Sequence, residues 1–214
     1  MSHDAPNLAE LHRAATVFNG FTNADTTWLR LAETTKPAIN LGRAAHRTLL
    51  LRWLNSWGCR IRYPRDGEPA PFDAGIARWW RKWRSVLPSV SIGELSDSDI
   101  DAVADAYAEL AAVEVSAGRI RRTLGSTAAA KALYALRPQA IMPWDAAIAT
   151  QLHGARDGAA FARHLRLGRE WALAVIAEAG GDENAVSEIV GRPAMPLAKI
   201  LDEYLYVTIT MAGA

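Results

Sequence analysis

The sequence predicts an all-α protein whose helices pack as a multi-helical globular bundle. Apolar residues recur at helical spacing through most of the 214 residues. Alternating patterns typical of β-strands are scarce, and the best of them is the short stretch 207–210. Half of the residues are hydrophobic, which is enough for a sizeable core. We treat 1–214 as one all-helical domain and leave open a boundary between two helical lobes in 58–72 or 88–96.

Four helices are predicted in the first half of the chain. Residues 7–18 place their large apolar side chains on one stripe, and 38–57 continue this spacing up to the helix-ending Gly58. A connector rich in proline follows, and 73–86 resume the helical pattern with three tryptophans. Ser96 is a good N-cap for the fourth helix, which opens with three aspartates that complement the positive end of the helix dipole.

The second half predicts a further series of helices. An alanine-rich helix over 126–136 ends before Pro138. Helices over 144–153, 158–178 and 194–206 follow, and a short helix bounded by glycines lies between the last two. The sum is about eight to ten helices.

Composition excludes several classes of protein. A single cysteine, Cys59, rules out an internal disulfide framework and a cysteine-rich zinc site. No apolar run approaches the ~20 residues of a membrane span, so we expect no membrane association. The first residues lack the basic and apolar regions of a signal peptide, and we therefore expect a cytoplasmic protein. No phosphate-binding loop, dinucleotide fingerprint, nucleophile elbow or histidine metal motif is present, so we expect no metal and no cofactor.

The formal net charge of +1 conceals a block structure. Residues 36–84 contain eleven Lys or Arg against three acids, and 117–137 contain five bases and no acid. Between them, 94–116 contain seven acids and no base. Such blocks either attract an anionic partner such as nucleic acid or pair with one another in the fold.

One stretch carries most of the functional information. Residues 124–148 read LGSTAAAKALYALRPQAIMPWDAAI, which is a glycine, a short helix, a proline turn, an apolar-proline pair and an aspartate that opens another helix. This order resembles the core of the helix-hairpin-helix superfamily of base-excision DNA glycosylases. The separation between Gly125 and Asp145 is close to that between the second hairpin glycine and the catalytic aspartate of the family. We place the glycosylase-like core at 117–178.

The resemblance implies DNA as the partner and assigns roles to several residues. Asp145 falls on the essential acid, which stabilises the charge that develops as a glycosidic bond breaks. Lys131 lies four residues after Thr127 on the same helix face, and we expect it to reach the same cleft as a second catalytic residue. The implied nucleic-acid contacts come from the hairpin glycine, the amides of the first helical turn, the preceding arginines and the tryptophan before the acid. These residues are Gly125, Ser126, Thr127, Arg119, Arg121, Arg122 and Trp144.

Three departures from the family pattern narrow the chemistry that the resemblance implies. Only the last glycine of the usual Leu-Pro-Gly-x-Gly hairpin is present. Thr127 occupies the position of the Schiff-base lysine of bifunctional members, and Ala147 replaces a histidine that follows the aspartate. The activity implied is therefore that of a monofunctional glycosylase without lyase chemistry.

Each of these residues also has a purely structural interpretation. Asp145 is equally suited to capping its own helix, and Gly125 to making a turn. Lys131 on an alanine-rich helix would ordinarily be solvated. The aromatic-basic segment 78–83 either stacks on bases or contributes tryptophans to the core.

A second cluster lies near the end of the chain. Lys199, Asp202, Glu203 and Tyr206 form one polar face on an apolar helix. If they are buried, they are paired charges that support the site from behind; otherwise they anchor the terminal helix. The resemblance of 124–148 thus favours a DNA glycosylase-like protein. The alternative is a non-catalytic helical module that binds nucleic acid or a protein.

Overall fold

The computed structural model describes residues 4–21, 24–65, 67–68, 70–116 and 120–213. These ranges contain no β-strand, only an isolated antiparallel bridge between Glu114 and Thr123, so the all-α prediction is confirmed. Ten α-helices are present in them: α1 (Leu8–Phe21), α2 (Ala24–Thr34), α3 (Ala44–Ser56), α4 (Pro71–Trp83), α5 (Asp97–Ala111), α6 (Ser126–Leu136), α7 (Ala146–His153), α8 (Gly158–Ala179), α9 (Glu183–Ile189) and α10 (Leu197–Leu205). A 3-10 turn (Ile92–Glu94) precedes α5, and a π-helical turn (Tyr206–Met211) continues α10.

Side-chain caps explain where several helices begin. The Ser96 hydroxyl accepts the amide of Asp99 at 3.1 Å, and the Asp99 carboxylate accepts the amide of Ser96 at 3.0 Å. This reciprocal pair is a capping box, in which Ser96 is the predicted N-cap of α5. Asp157 and Asp182 cap α8 and α9 by accepting amides three residues further on.

Helix α8 organises the core. It contacts α5, α7, α9, α10 and the 3-10 turn. The rings of Tyr107 and Phe161 stack at 4.2 Å between centroids, and Trp144 meets Phe161 edge-on at 5.0 Å. This buried aromatic group holds the segment before α7 against α8, which fixes the position of Asp145 at the next residue.

Two N-terminal features differ from the prediction. Helix α2 has no counterpart in the predicted set, and α3 begins at Ala44 rather than near residue 38. The Asn40 side chain accepts the amide of Gly42 at 2.9 Å, and the Arg47 guanidinium donates to the carbonyl of Leu41 at 2.8 Å. These local bonds stabilise a turn in place of a first helical turn.

The stretch 207–210 is not a strand. It forms part of the π-helical turn, in which the Thr208 hydroxyl donates to the Tyr204 carbonyl at 2.7 Å. Because α10 runs directly into this stretch, the chain keeps helical hydrogen bonding there and the alternating pattern has no partner strand. No helix in the described part of the chain is both long and apolar enough to cross a membrane.

Candidate functional site

A pocket of about 220 Å³ opens where α3, α6, α7 and the C-terminal turn meet. We call it the Asp145 pocket. It is lined by Phe18, Thr27, Ser56, Trp57, Lys131, Pro143, Trp144, Asp145, Ile148, Lys199, Asp202 and Tyr206. Six residues singled out in the sequence therefore line one concavity: Lys131, Trp144, Asp145, Lys199, Asp202 and Tyr206.

The Asp145 carboxylate is held in a defined orientation. It is the N-cap of α7, where one oxygen accepts the amide of Ile148 at 2.9 Å. The other oxygen accepts the Thr210 hydroxyl at 2.7 Å. Each carboxylate oxygen retains a second lone pair, and the side chain is partly exposed to the pocket. The group can therefore still accept a hydrogen bond from a ligand or a water molecule.

Lys131 lies midway along α6 and points to the wall formed by α3. Its ammonium donates to the Trp57 carbonyl at 2.7 Å and lies 5.5 Å from the centroid of the Trp57 ring. An ammonium carries three N–H donors, so Lys131 keeps donors for a ligand in addition to its bond to Trp57. Lys131 thus places a positive charge beside an aromatic wall of the pocket.

Four aromatic side chains line the pocket: Phe18, Trp57, Trp144 and Tyr206. Trp57 is the residue that ends α3 as its C-cap, and it donates its indole N–H to the Thr27 hydroxyl at 2.9 Å. Phe18 and Tyr206 meet edge-on, with centroids 5.7 Å apart. Burial, followed by the charges of Asp145 and Asp202, raises the pKa of Tyr206 above its ordinary value.

A buried cluster of charges forms the floor of the pocket. Lys199 is 1% exposed, and its ammonium lies 2.9 Å from an Asp202 oxygen and 3.6 Å from a Glu203 oxygen. Arg192 donates to Glu203 at 2.6 Å and also to Asp25. Lys199 also stands 4.1 Å from the centroid of Phe18. The sequence left open whether the polar face near the chain end is buried. The structure shows that Lys199, Asp202 and Glu203 of this face are buried.

Burial perturbs the ionisation of this cluster. It raises the pKa of Glu203 to about 7, although Lys199 and Arg192 act in the opposite direction. It raises the pKa of Asp202 in the same way, against the attraction of Lys199. Burial pulls the pKa of Lys199 down, but the carboxylates of Asp202 and Glu203 outweigh it, so this pKa lies above its ordinary value.

The hairpin residues lie outside the Asp145 pocket. Gly125 precedes α6 with φ +81°, and its amide donates to the Ala111 carbonyl at 3.0 Å. The next three amides, those of Ser126, Thr127 and Ala128, have no acceptor among the described residues. The start of α6 is therefore a free helix N-terminus. Its axial distance from Lys131 is about 8 Å, at 1.5 Å per residue.

The predicted arginines have different surroundings. Arg121 and Arg122 are exposed, and Arg121 reaches Glu114 only at 3.9 Å. Arg119 lies outside the described residues. The acidic block pairs instead with Lys82, at 2.5 Å from Glu109, and with two arginines of α8. Such exposed pairs contribute little to stability, and Arg122 has no carboxylate partner in the described part of the chain.

The aromatic-basic segment 78–83 places two of its tryptophans in the core and leaves its three basic residues exposed. Trp79 and Trp80 are buried, and the Trp79 indole donates to the Ala106 carbonyl at 2.8 Å. The core interpretation is therefore confirmed for these two residues. In the described ranges, no group of three or more His, Cys, Asp or Glu side chains is arranged to hold a metal ion.

Sequence reasoning missed some of the lining residues. Thr210 reaches Asp145 from 65 positions away, and Thr27 comes from the unpredicted α2. No local signal marks either of them. Comparison with family models, curated proteins and solved structures finds no match for this chain.

Proposed function

We propose that this protein is a helix-hairpin-helix DNA glycosylase-like enzyme that holds a flipped nucleotide in the Asp145 pocket and hydrolyses its N-glycosidic bond. The observation that carries the proposal is the placement of Asp145 and Lys131 on one pocket with aromatic walls. Enzymes that act on a base within a duplex extrude it and stack it between aromatic or apolar side chains.

The size and lining of the pocket support a nucleobase as the occupant. Its volume of about 220 Å³ is below the ~300–1,000 Å³ of pockets for drug-sized ligands. A single ring system suits such a space. Trp57 and Tyr206 are partly exposed and offer aromatic surface, while Lys131 offers donors to the carbonyl oxygens or ring nitrogens of a base.

The chemistry assigned to Asp145 follows from its fixed orientation. As the bond between the sugar and the base breaks, the base leaves with the electron pair and positive charge develops on the sugar. A carboxylate that is already oriented by Ile148 and Thr210 stabilises this charge without reorganising. It also accepts the proton of the attacking water. Since Thr127 stands where a Schiff-base lysine would be needed, the proposed reaction is simple hydrolysis.

The start of α6 supports a phosphate contact. Its free amides and the positive end of its dipole suit an anion. Exposed Arg121 and Arg122 precede it on the chain. We assign these groups, with Gly125, to the DNA backbone beside the flipped nucleotide.

The test is base release from duplexes that each carry one modified base, assayed by cleavage of the resulting abasic site. The key variant is Asp145→Asn, because asparagine caps a helix as well as aspartate does and its side-chain NH2 group can donate to the Thr210 hydroxyl oxygen. We expect the variant to bind DNA and to lose at least 100-fold in the rate of release, a typical effect for a general acid-base group. Equal rates in the wild type and Asp145→Asn would overturn the role of Asp145.

The alternative is a non-catalytic module that binds nucleic acid. It is favoured by the use of both Asp145 oxygens inside the protein. DNA binding that persists without release from any tested duplex would support this alternative. A wild-type protein that ignores DNA at low salt would remove both interpretations.

A further inference from the structure

A second pocket, of about 320 Å³, lies next to the Asp145 pocket along α3. We call it the Arg52 pocket. Its floor and rim come from α3, from the connector before α4 and from the first turn of α4. The Asp145 pocket uses Ser56 and Trp57 at the end of α3, whereas the Arg52 pocket uses Thr48, Leu51 and Arg52.

The two pockets are joined by one exposed stripe of α3. Thr48, Arg52 and Ser56 follow one another at steps of four residues and are all exposed. Residues four apart lie on the same helix face, and each step advances about 6 Å along the axis. An extended chain that leaves the Asp145 pocket over Ser56 therefore meets Arg52 within roughly one step.

The charges of the Arg52 pocket leave one cation unused. Arg47 is buried, and its guanidinium makes two bonds to Asp73, at 2.6 and 2.9 Å. Arg62 pairs with Glu68 at 2.9 Å. Arg52 has no hydrogen bond or ion pair in the described part of the chain, so its guanidinium keeps its donors for a ligand.

An exposed aromatic ring stands on the same pocket. Tyr63 is 50% exposed although it is a large side chain. The residue lies within the proline-rich connector between α3 and α4. An exposed ring beside a free guanidinium is the arrangement that binds a base together with its phosphate, because the base stacks on the ring and the anion pairs with the cation.

We propose that the Arg52 pocket binds the nucleotide adjacent to the one in the Asp145 pocket, with Arg52 on the connecting phosphodiester and Tyr63 against the neighbouring base. This inference rests on the proposed function, since it continues the strand that the Asp145 pocket holds. Phosphate recognition follows from the charge, and continuity with the Asp145 pocket favours a nucleic-acid strand over an acidic peptide.

The experiment compares two probes, thymidine and trithymidylate, by titration of tryptophan fluorescence. Arg52→Ala is expected to weaken trithymidylate binding about tenfold and to leave binding of thymidine, which has no phosphate, unchanged. The slope of log affinity against log salt falls by about 0.7 when one phosphate contact of a single strand is lost. Tyr63→Ala is expected to weaken trithymidylate binding as well. Tyr63→Phe is expected to keep the same affinity, because the phenyl ring still stacks on the base.

Arg81→Ala is the matched control. Arg81 is exposed, has no partner in the described residues and lies about 12 Å beyond Asp73 along α4. Binding of thymidine to the wild type, with no effect of Arg52→Ala on trithymidylate binding, would overturn this inference alone. Failure of both probes to bind the wild type at low salt overturns the proposed function as well. The inference would also be overturned if Arg52→Ala weakened the binding of an acidic peptide but not that of trithymidylate.

Discussion

The effect of burial on the ionisation of Glu203, in the charge cluster below the pocket, can be tested quantitatively. Glu203 is 0% exposed, and one of its oxygens accepts Arg192 at 2.6 Å. The other oxygen has no partner among the described residues. Burial with one unsatisfied oxygen raises the pKa of Glu203 from 4.5 to about 7. We consider the substitution Glu203→Gln, which removes the titration and keeps the shape.

The sign of the effect follows from proton linkage. Between pH 4.5 and about 7 the folded protein retains a proton that the unfolded chain releases. The native state then binds more protons, so the free energy of unfolding falls as pH rises through this window. At 1.36 kcal/mol for each pH unit, the contribution of Glu203 amounts to about 3 kcal/mol.

Other groups titrate nearby and must be separated from Glu203. The pKa of Asp202 is also raised by burial, so its contribution has the same sign. Burial lowers the pKa of His164 from 6.5 to about 3, so its contribution is lost as pH falls below 6.5. Because both groups remain in Glu203→Gln, the difference between variant and wild type isolates Glu203.

The assay is urea unfolding followed by tryptophan fluorescence at intervals from pH 4.5 to 8. We expect the stability of Glu203→Gln relative to the wild type to increase by about 3 kcal/mol between pH 4.5 and 7. Glu188→Gln on α9, an exposed glutamate, is the control and should follow the wild type throughout. If the free energy of unfolding depended on pH in the same way for Glu203→Gln and the wild type, the raised pKa of Glu203 would be refuted.

Three further predictions concern the site and its surroundings. Asp145→Ala should lower the free energy of unfolding by about 1 kcal/mol through loss of the cap, whereas Asp145→Asn should remain within a few tenths; equal losses in chemical denaturation would contradict the capping role. Gly125→Ala should cost about 1–3 kcal/mol by the same measurement, because φ is +81° and an added Cβ meets nothing within 4 Å, so the cost is backbone strain alone; a neutral result would be inconsistent with that conformation. Burial raises the pKa of Tyr107 to about 12, so in an ultraviolet titration Tyr107→Phe should match the wild type until about that pH, and an earlier difference would count against its burial.

Local signals accounted for most of the helices. The spacing of 126–136 predicted α6 with both ends correct, and Ser96 was correctly placed as the cap of α5. These features depend on a few neighbouring residues, because caps and helical periodicity act within one or two turns. The turn before α3 and the π-helical turn after α10 were missed, because contacts around them decide between competing local structures.

The sequence also predicted part of the candidate site, and the rest required the tertiary structure. Asp145, Lys131, Trp144, Lys199 and Asp202 were recognised from residue type and order, and all five line one pocket. Glu203 lies just behind them, and its raised pKa required knowledge of its burial. Gly125, Arg121 and Arg122 lie outside the pocket, and their assignment to DNA remains a prediction.

The amino-acid sequence by itself determined the helical class, the start of most helices and the residue types available for chemistry, because these depend on short-range geometry and composition. Only the tertiary structure decided which of those residues share a cavity. Thr210 reaches Asp145 across 65 positions, and Lys131 reaches the Trp57 carbonyl across 74. Such contacts arise from how helices pack, and no periodic pattern within one helix encodes them.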